Sequence, residues 1–448
     1  MQRRPQVVIV GSGFGGMQAA QSLAGSGANV SLIDRQNYHT FIPLLYQVAT
    51  AQLDPEHVAF PVRTLLRRFL PRRHQAPQIR FLMANVTRIN MQMRLVETDR
   101  GSLPYDYLVI ATGSQPQFLG IPGANDHAFT LKTLNGAIAL RNQIVTCFET
   151  ASNEPDPILR QQHLTFTIVG GGPTGVEMAG ALIEMLRSPM RRDYPTLNPR
   201  DVRVILLQAG DRLLPGLPER LGDYTCKRLR KLGVRVHLQS KVSRVLPNAV
   251  RLQDGHVIPS ATVIWAAGVE AETPETSDRL PTINKGKLVV RSTLQVLEQD
   301  QIYAIGDVSY VEQNGVPLAG VAPEALQAGV AVARNIKRQI RGKFPKPFRY
   351  FNKGRLAIIG CGSGVGKIGP LMLTGAIAWF MWLAVHVVYL PGFRNRLLVL
   401  LSWLQTYGLG DRPSRFILPH PSIPMPQPQT DSGISRSIHQ SSDSTTHL

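Results

Sequence analysis

Two glycine-rich segments have the residue types and spacing that bind a dinucleotide. The first, "QVVIVGSGFGGMQAA", is an apolar strand followed by a G-x-G-x-x-G turn and a helix of small residues. In such a turn the first glycine permits the tight bend, the second lets a pyrophosphate approach the backbone, and the third allows close helix packing. The strand "NVSLID" ends in Asp34, at the distance expected for a carboxylate that holds a ribose hydroxyl. The alternative is an ordinary glycine turn, but strand, helix and acid together favour dinucleotide binding. The predicted site residues of this turn are Gly11, Gly13, Phe14, Gly15 and Gly16.

A second copy follows in "LTFTIVGGGPTGVEMAGAL", and two such turns predict two dinucleotides. The strand that should close this unit, "VRVILL", leads to Gln208, where a carboxylate would be usual. Glutamine can bind a ribose hydroxyl without repelling a 2′-phosphate, so we expect NADPH to be used as well as NADH. Arg212 could reach such a phosphate, or it could be an ordinary exposed loop arginine. The predicted site residues of this turn are Gly170, Gly172, Thr174 and Gly175.

Three other segments place glycine or polar residues at predicted strand ends. "YDYLVIATGS" ends in Thr112 and Gly113, and "ATVIWAAGV" contains Gly268. "QIYAIGDVS" places Gly306 and Asp307 after a strand, where the carboxylate could accept hydrogen bonds from a polyol chain or cap a turn. Each of these residues is a predicted contact of a bound dinucleotide.

These segments, in this order, resemble the flavoprotein oxidoreductases with two dinucleotide folds. "NYHTFIPLLYQVATAQLDP", "FTLKTLNGAIALRNQI" and "GVAPEALQAGVAVARNI" are similar to the type II NADH dehydrogenases, the single-subunit NAD(P)H:quinone oxidoreductases. The resemblance implies an α/β fold with two Rossmann-like domains, the second inserted in the first, plus a C-terminal membrane-anchoring helical region. The implied divisions are an FAD-binding domain at 1–125 and 285–345, an NAD(P)H-binding domain at 126–284, a membrane-anchoring region at 346–418 and a disordered tail at 419–448.

The resemblance also implies a reaction and residues for it. NADH or NADPH would pass a hydride to FAD, which would pass two electrons to a membrane quinone. Glu177 matches a family glutamate implicated in substrate binding or proton movement, although a carboxylate in a helix first turn is also favoured by the helix dipole. Gln327 matches the last glutamine of the A-Q-x-A-x-Q quinone-site pattern, but Pro323 stands where the first would be. Lys353 is a weaker candidate for a proton relay and could belong to a basic surface instead.

The composition is that of a basic globular protein. Its 448 residues leave room for two or three domains, and 43% of them are hydrophobic. The net charge of +19 favours an anionic partner. No nucleic-acid-binding or zinc-finger signature accompanies that charge, so we expect an anionic lipid surface, no nucleic acid and no metal. Three cysteines without a C-x-x-C pair suit a reducing compartment, and the start of the chain lacks a cleavage site, so we expect the cytoplasmic face of a membrane.

A late segment without Asp, Glu, Lys or Arg, "IGPLMLTGAIAWFMWLAVHVVYLPGF", indicates how the chain meets that membrane. We predict an apolar helix from Leu371 to Leu390, about long enough to span a bilayer, followed by a second apolar stretch, "FRNRLLVLLSWLQTYGL". Since the resembling family docks without crossing, we favour interfacial docking over a span, a buried core helix or a homodimer interface. A glycine-spaced run just before it, from Gly364 to Gly369, is interpreted as flexible backbone because no suitable strand precedes it. Arginine-rich segments, including Arg68, Arg72 and Arg73, would add attraction to anionic lipid.

Three rival functions stay open at this point. A sulfide:quinone reductase would need cysteines near the flavin, which Cys147 and Cys361 could supply only by converging in space. A reductase of a prenyl-quinone intermediate, or a membrane redox sensor of low turnover, would carry the same motifs. The motifs report cofactors and order, whereas they do not report rate or the identity of the quinone.

Overall fold

We describe a computed structural model of the chain, which places residues 3–67, 79–412 and 414–418. The predicted disordered tail at 419–448 and the arginines at 68, 72 and 73 lie outside these ranges. The first part of the chain forms β1 (Gln6–Val10), α1 (Phe14–Ser22), β2 (Asn29–Asp34), β3 (Tyr38–Thr40), α2 (Leu45–Ala49), α3 (Pro55–Val58), β4 (Ala59–Pro61), α4 (Val62–Arg67), β5 (Ile79–Met83), β6 (Val86–Asn90), β7 (Leu95–Thr98), β8 (Gly101–Pro104), β9 (Tyr107–Ile110), β10 (Ser114–Pro116) and α5 (Ala124–His127).

The middle of the chain builds a second parallel sheet. It forms β11 (Ala128–Thr130), α6 (Leu134–Asn153), α7 (Pro157–His163), β12 (Thr165–Val169), α8 (Pro173–Arg187), α9 (Pro189–Asp193), β13 (Arg203–Leu207), α10 (Glu219–Leu232), β14 (Arg235–His237), β15 (Val242–Leu246), β16 (Ala249–Leu252), β17 (Val257–Pro259), β18 (Thr262–Trp265) and β19 (Val269–Ala271). Within the described residues this sheet has the order β11-β18-β12-β13-β14, with all neighbours parallel. Strands such as β12 are buried throughout, because helices cover both faces of a parallel sheet.

The chain then returns to the first sheet. It forms β20 (Thr282–Ile283), β21 (Lys287–Val289), β22 (Ile302–Ala304), β23 (Ser309–Tyr310), β24 (Glu312–Gln313), β25 (Val316–Pro317) and α11 (Ala322–Ile340). Among the described strands the first sheet has the parallel order β22-β9-β1-β2-β5, so β22 completes a sheet that β1 began. The predicted α/β fold with two Rossmann-like units, the second inserted in the first, is therefore confirmed, while membrane anchoring by the C-terminal helical region stays a prediction. The residue numbers of the domain boundaries stay predictions.

The C-terminal region is a hairpin sheet with two helices. It forms β26 (Arg355–Gly360), β27 (Ser363–Ile368), β28 (Leu371–Thr374), α12 (Gly375–Tyr389) and α13 (Phe393–Leu404), and a π-helical turn at Gln405–Leu409. The expectation of flexible backbone from Gly364 onward is wrong, since Gly364 and Gly366 lie in buried β27. A Cβ at Gly364 would lie 3.0 Å from the backbone nitrogen of Trp379, so the glycine lets α12 pack against the strand.

The predicted helix from Leu371 to Leu390 is also shorter than expected. Its first four residues pair with β27 and form β28. The sequence did not reveal this, because a short apolar run does not distinguish a strand from a helix. The remaining 15 residues of α12 would extend about 22 Å, less than the roughly 30 Å of a hydrocarbon core. Within the described residues, no helix combines the length and apolar character needed to cross a membrane.

Candidate functional site

The first glycine turn joins β1 to α1 at the carboxyl edge of the first sheet. Gly11 has φ +102°, and a Cβ there would lie 2.3 Å from the Ala111 carbonyl oxygen. A Cβ at Gly16 would lie 1.9 Å from the carbonyl oxygen of Gly11, so neither position accepts a side chain. At Gly13, by contrast, no described atom lies within 4 Å of a built Cβ. The middle glycine therefore leaves space where a pyrophosphate can approach the backbone.

The start of α1 is suited to an anion. The first N–H groups of any helix have no intrahelical partner. Gly13 is the N-cap of α1 and no described side chain caps the helix, so these groups are available to an anion. Asp34, at the end of β2, accepts hydrogen bonds from Ser12 N at 2.6 Å and Ser12 Oγ at 2.8 Å. Phe14 packs edge-on to Phe41, with ring centroids 5.6 Å apart. Gly15 lies against Ile305, which directly follows β22. These residues fit the diphosphate and ribose of a bound FAD.

The second turn repeats the first closely. Gly170 has φ +114°, and a Cβ there would lie 2.5 Å from the Ala266 oxygen. A Cβ at Gly175 would meet the Gly170 oxygen at 1.9 Å, while a built Cβ at Gly172 has no described atom within 4 Å. Thr174 is exposed in the first turn of α8, and no described side chain caps that helix either. The second unit thus presents the same kind of anion site.

Gln208 takes the structural place of Asp34 in this unit. Its Oε1 accepts a hydrogen bond from Gly171 N at 2.8 Å, just as the Asp34 carboxylate accepts one from Ser12 N. A backbone N–H can only donate, so the amide oxygen must face the turn and the NH₂ group must face away from it. The position therefore presents N–H donors where a carboxylate would present negative charge.

A polar cluster links the two units near Asp307. Asp307 Oδ2 accepts hydrogen bonds from Ser114 Oγ at 2.5 Å and Lys132 Nζ at 3.3 Å, and Lys132 Nζ also donates to Ser114 Oγ at 2.6 Å. Among the described residues, the hydrogen bonds of this carboxylate are with these two side chains and not with a turn backbone. The sequence analysis missed both Ser114 and Lys132, since they lie 193 and 175 positions from Asp307.

Three glycines with positive φ and one buried hydroxyl without a partner lie at the strand ends of the two units. Gly113, Gly268 and Gly306 have φ of +80°, +150° and +76°, which favour glycine at these strand ends. Thr112 Oγ1 is buried and has no hydrogen-bond partner among the described residues. A buried hydroxyl without a partner fits the contact of a bound ligand at this edge. The assignment of these residues to cofactor binding stays a prediction.

Glu177 is held by the C-terminal region. Its Oε1 accepts hydrogen bonds from Trp382 Nε1 at 3.1 Å and Ile358 N at 3.4 Å. Burial raises the pKa of Glu177 to about 8, against these two weaker contributions that lower it. Its described hydrogen bonds therefore lead away from the N-terminus of its own helix. A carboxyl group with this pKa is mostly protonated at neutral pH and can supply a proton.

Gln327 and Lys353 lie where α11 meets the segment before β26. Gln327 Nε2 donates to Phe351 O at 3.0 Å, and its Oε1 accepts from Phe351 N at 2.9 Å. Lys353 Nζ donates to the Tyr389 hydroxyl at 3.0 Å and lies 5.6 Å from the centre of that ring. Gln327 thus pins the backbone two residues before Lys353, and Lys353 contacts α12. The roles of these residues with quinone stay predictions.

The segment "FIPLLYQVA" is largely buried and contains polar residues that were not predicted as functional. All five residues of α2 are buried. Gln47 accepts a hydrogen bond from Trp403 Nε1 at 2.8 Å and donates to the Tyr46 hydroxyl at 3.0 Å. Since Trp403 lies 356 positions away in α13, only the fold brings this pair together.

The cysteines do not have the environment of reactive thiols. Cys147 is buried beside Thr262, and burial raises the pKa of its thiol to about 11. Cys361 is exposed, but its pKa is also raised, by partial burial and by Glu184. The thiolate is the reactive form, so these pKa directions disfavour sulfide chemistry at either residue.

Comparisons with known proteins agree with this architecture. Residues 5–329 match the family model described as pyridine nucleotide-disulphide oxidoreductase. The chain is 37% identical to the type II NADH:quinone oxidoreductase Ndh of Mycobacterium tuberculosis, over 90% of this chain and 88% of that protein. It is 30% identical to the type II NADH:quinone oxidoreductase of Haemophilus influenzae, over 85% of this chain and 92% of that protein. The structure of NDH2 from Plasmodium falciparum in complex with NADH superposes with a TM-score of 0.84, at 20% identity, over 92% of this chain and 99% of that one. The chain therefore belongs to the pyridine nucleotide-disulphide oxidoreductase family and, within it, to the type II NADH:quinone oxidoreductases.

Proposed function

We propose that this protein is an FAD-dependent NAD(P)H:quinone oxidoreductase that transfers two electrons from a nicotinamide donor to a membrane quinone. The observation that carries the proposal is the pair of open glycine turns, each at the start of a helix without a side-chain cap, on two parallel sheets. One turn serves FAD and the other serves the donor. Membership of the type II NADH:quinone oxidoreductases supports quinone as the acceptor.

The first unit holds FAD. The start of α1 binds the pyrophosphate, Asp34 binds the ribose, and Asp307 lies where the polyol chain passes. When bound, FAD supplies a group that accepts a hydride and releases two electrons to a second substrate. The further residues assigned to this site are Gly11, Gly13, Phe14, Gly15, Gly16, Thr112, Gly113 and Gly306.

The second unit holds NADH or NADPH. The start of α8 binds its pyrophosphate through the turn from Gly170 to Gly175, and Gly268 lies at the end of the adjacent strand β18. Because Gln208 directs its NH₂ group away from the turn, it can donate to a ribose hydroxyl or to a 2′-phosphate. Both donors are therefore substrates in this proposal.

Proton balance assigns a role to Glu177. The net reaction, NADH + H⁺ + quinone → NAD⁺ + quinol, takes up one proton for each donor oxidised. With its pKa raised to about 8, Glu177 holds a proton at neutral pH and recovers it from solvent after each turnover. The rate of quinone reduction by the enzyme should therefore fall as the pH rises through about 8. Gln327 contacts the segment before β26, and Lys353 of that segment contacts Tyr389 of α12; both are proposed to act on the quinone.

The C-terminal helical pair, α12 and α13, is proposed to dock on an anionic membrane surface without crossing it. One side of the pair is buried in the protein, including Trp382 and Trp403, while the other side is apolar and exposed. An exposed apolar patch of this kind marks an interaction surface. Its members are Ile377, Phe380, Val388, Phe393, Leu397, Leu400, Leu401, Leu404 and Leu409. Docking on the cytoplasmic face is favoured, and a homodimer formed through this surface is the alternative.

Membrane docking is testable without removing the helices. Replacing Phe380 and Leu404, which are 63% and 68% exposed, with serine should weaken sedimentation with anionic vesicles. The matched control replaces Ile158 and Val316, which are 74% and 64% exposed elsewhere, and should leave sedimentation unchanged. Release of a dimer into monomers by the first pair, without loss of vesicle binding, would support the dimer instead.

The function itself is tested by the flavin spectrum of the purified protein. We expect a flavin absorbance band that NADH bleaches and added quinone restores, with continuous turnover separating an enzyme from a slow sensor. Gly172→Leu should keep the flavin but abolish bleaching, because its side chain would enter the open space of the second turn. Gly13→Leu should lose the flavin and keep nucleotide binding. The two variants control for each other, and the same loss from both would refute the assignment of one dinucleotide to each turn.

A further inference from the structure

One side of helix α12 faces the protein interior and contacts Glu177. Trp382 is 1% exposed, although its helix carries the apolar surface proposed to meet the membrane. Its indole contacts Tyr46 of α2 and Trp403 of α13, with ring centroids 6.2 and 6.1 Å apart. The helix therefore reaches the buried polar residues of the first domain as well as the protein surface.

The indole N–H of Trp382 donates to Glu177 at 3.1 Å. The N–H of Ile358 donates to the same oxygen, Oε1, at 3.4 Å. Since Oε1 accepts both bonds, the proton of the neutral carboxyl group is carried by Oε2. Two neutral donors thus orient the carboxyl and decide which oxygen exchanges its proton.

His386 fixes the indole in turn. Its ring stacks on Trp382 with centroids 3.7 Å apart and an angle of 24° between the planes. His386 Nδ1 lies 2.7 Å from the Trp382 carbonyl oxygen, which can only accept, so Nδ1 carries the hydrogen of the neutral ring. Burial lowers the pKa of His386 to about 4, and the ring is therefore neutral at physiological pH. Phe41 closes the other edge of the imidazole, at 6.1 Å between centroids.

The other ionisable groups near Glu177 are either neutral or paired with one another. Tyr46 of α2 and Tyr407 of the π-helical turn face it, and burial raises the pKa of both, so both are neutral. Glu184, further along α8, is paired with Arg412 at 3.6 Å. In the described part of the chain no cation forms an ion pair with Glu177. Its proton affinity therefore depends on burial and on the two neutral donors, of which the indole forms the shorter bond.

We propose that Trp382 and His386 are positioning residues for the quinone half of the reaction. The indole N–H of Trp382 sets the proton affinity of Glu177, and the neutral imidazole of His386 holds the indole in place. The inference rests on the proposed function, since it assumes that Glu177 supplies a proton. It means that the membrane-facing helix also tunes the proton donor of the active site.

The test is the pH dependence of quinone reduction by the flavin-loaded enzyme. Trp382→Phe keeps an aromatic ring but loses the N–H, so the carboxylate form of Glu177 loses a hydrogen bond and its pKa rises. We expect the alkaline limb of the quinone-dependent kcat to move up by about one pH unit, the size of one hydrogen bond to a charged group. The rate of flavin bleaching by NADH should stay unchanged.

Variants of His386 test the second link. His386→Ala frees the indole and should move the alkaline limb in the same direction, while His386→Phe restores the stacking and should return it to the wild-type position. If Trp382→Phe does not fold, benzothienylalanine at position 382 replaces only the N–H with sulfur. The infrared carboxyl band that Glu177→Gln removes gives the same pKa without any turnover.

The outcomes separate this inference from the function on which it rests. A lower rate in Trp382→Phe with an unmoved alkaline limb and an unmoved carboxyl band would refute the positioning role and leave the proposed function intact. An alkaline limb that survives in Glu177→Gln would refute the proton role of Glu177 itself. A limb that moves in Trp382→Phe and that Glu177→Gln abolishes, both alone and together with Trp382→Phe, supports the inference.

Discussion

Replacing Gln208 with glutamate should make the enzyme reject NADPH. In the wild type, Gln208 Oε1 accepts from Gly171 N at 2.8 Å and the NH₂ group faces away from the turn. In Gln208→Glu one carboxylate oxygen can keep that bond, as the carboxylate of Asp34 does with Ser12 N at 2.6 Å. The other oxygen then carries negative charge toward the ribose. The fold is therefore expected to survive, and only the charge presented to the nucleotide changes.

The magnitude follows from the charge that is added. Two like charges about 5 Å apart at an effective dielectric constant near 20 repel by about 3 kcal/mol. Solvent exposure and salt reduce this by about half, which leaves a discrimination of roughly 10- to 30-fold. The ribose hydroxyl of NADH gains a charged acceptor in place of an amide, so its kcat/KM should change by less than about threefold.

The assay compares kcat/KM for NADPH and NADH with a soluble quinone at low and high salt. The selectivity of Gln208→Glu for NADH should rise and should weaken with salt, because the effect is electrostatic. Gln253→Glu places the same charge on an exposed turn of the same unit and serves as the control. An unchanged donor ratio in Gln208→Glu would show that this side chain does not face the ribose, and would refute our placement of the nucleotide.

Three further outcomes follow from the contacts. Gln327→Leu should weaken quinone reduction about tenfold and leave flavin bleaching unchanged, whereas Gln313→Leu, which breaks the same kind of double backbone contact to Tyr350, should not weaken it. Arg412→Met should lower the free energy of unfolding by about 3–5 kcal/mol, measured in urea, because the buried guanidinium bonds the carbonyl oxygens of Thr50 and Ala181 and pairs with half-buried Glu184. The double variant with Glu184→Gln should recover part of the loss, and a change below about 1 kcal/mol would contradict this. His386 has a folded pKa of about 4, below its ordinary 6.5, so the unfolded chain binds the proton more readily and stability is lost as pH falls from 6.5 toward 4. Thermal melts of His386→Phe should show less of this acid sensitivity than the wild type.

The sequence by itself determined the local geometry of the two nucleotide turns. At Gly11, Gly16, Gly170 and Gly175 a Cβ would collide with backbone atoms of the same turn or of the adjacent strand end. The collisions at Gly11 and Gly170 are with the distant strand ends at Ala111 and Ala266, whereas those at Gly16 and Gly175 arise within the turn itself, so the glycine spacing reveals them. The same holds for Asp34, whose partner Ser12 belongs to the same strand-turn-helix unit.

The apolar segment near the C-terminus shows where pattern reasoning reaches its limit. Its lack of charge predicted burial in protein or lipid, but it did not reveal that Leu371–Thr374 would extend a hairpin and only Gly375–Tyr389 would form a helix. Pairing with β27 decided this, because a strand edge supplies hydrogen-bond partners that no local propensity reports.

Only the tertiary structure decided which polar groups meet. Trp382 and Glu177 are 205 positions apart, and Lys132 and Asp307 are 175 apart, yet each pair shares a hydrogen bond. Neither tryptophan nor lysine carries a local signal of its partner, since the contact energy exists only after two separate units have packed. Burial then changes the chemistry of the residues it encloses, raising the pKa of Glu177 and lowering that of His386. The motifs thus predict which cofactors the chain can hold, and the contact of Trp382 in α12 with Glu177 in α8 orients the carboxyl group that we propose as the proton donor.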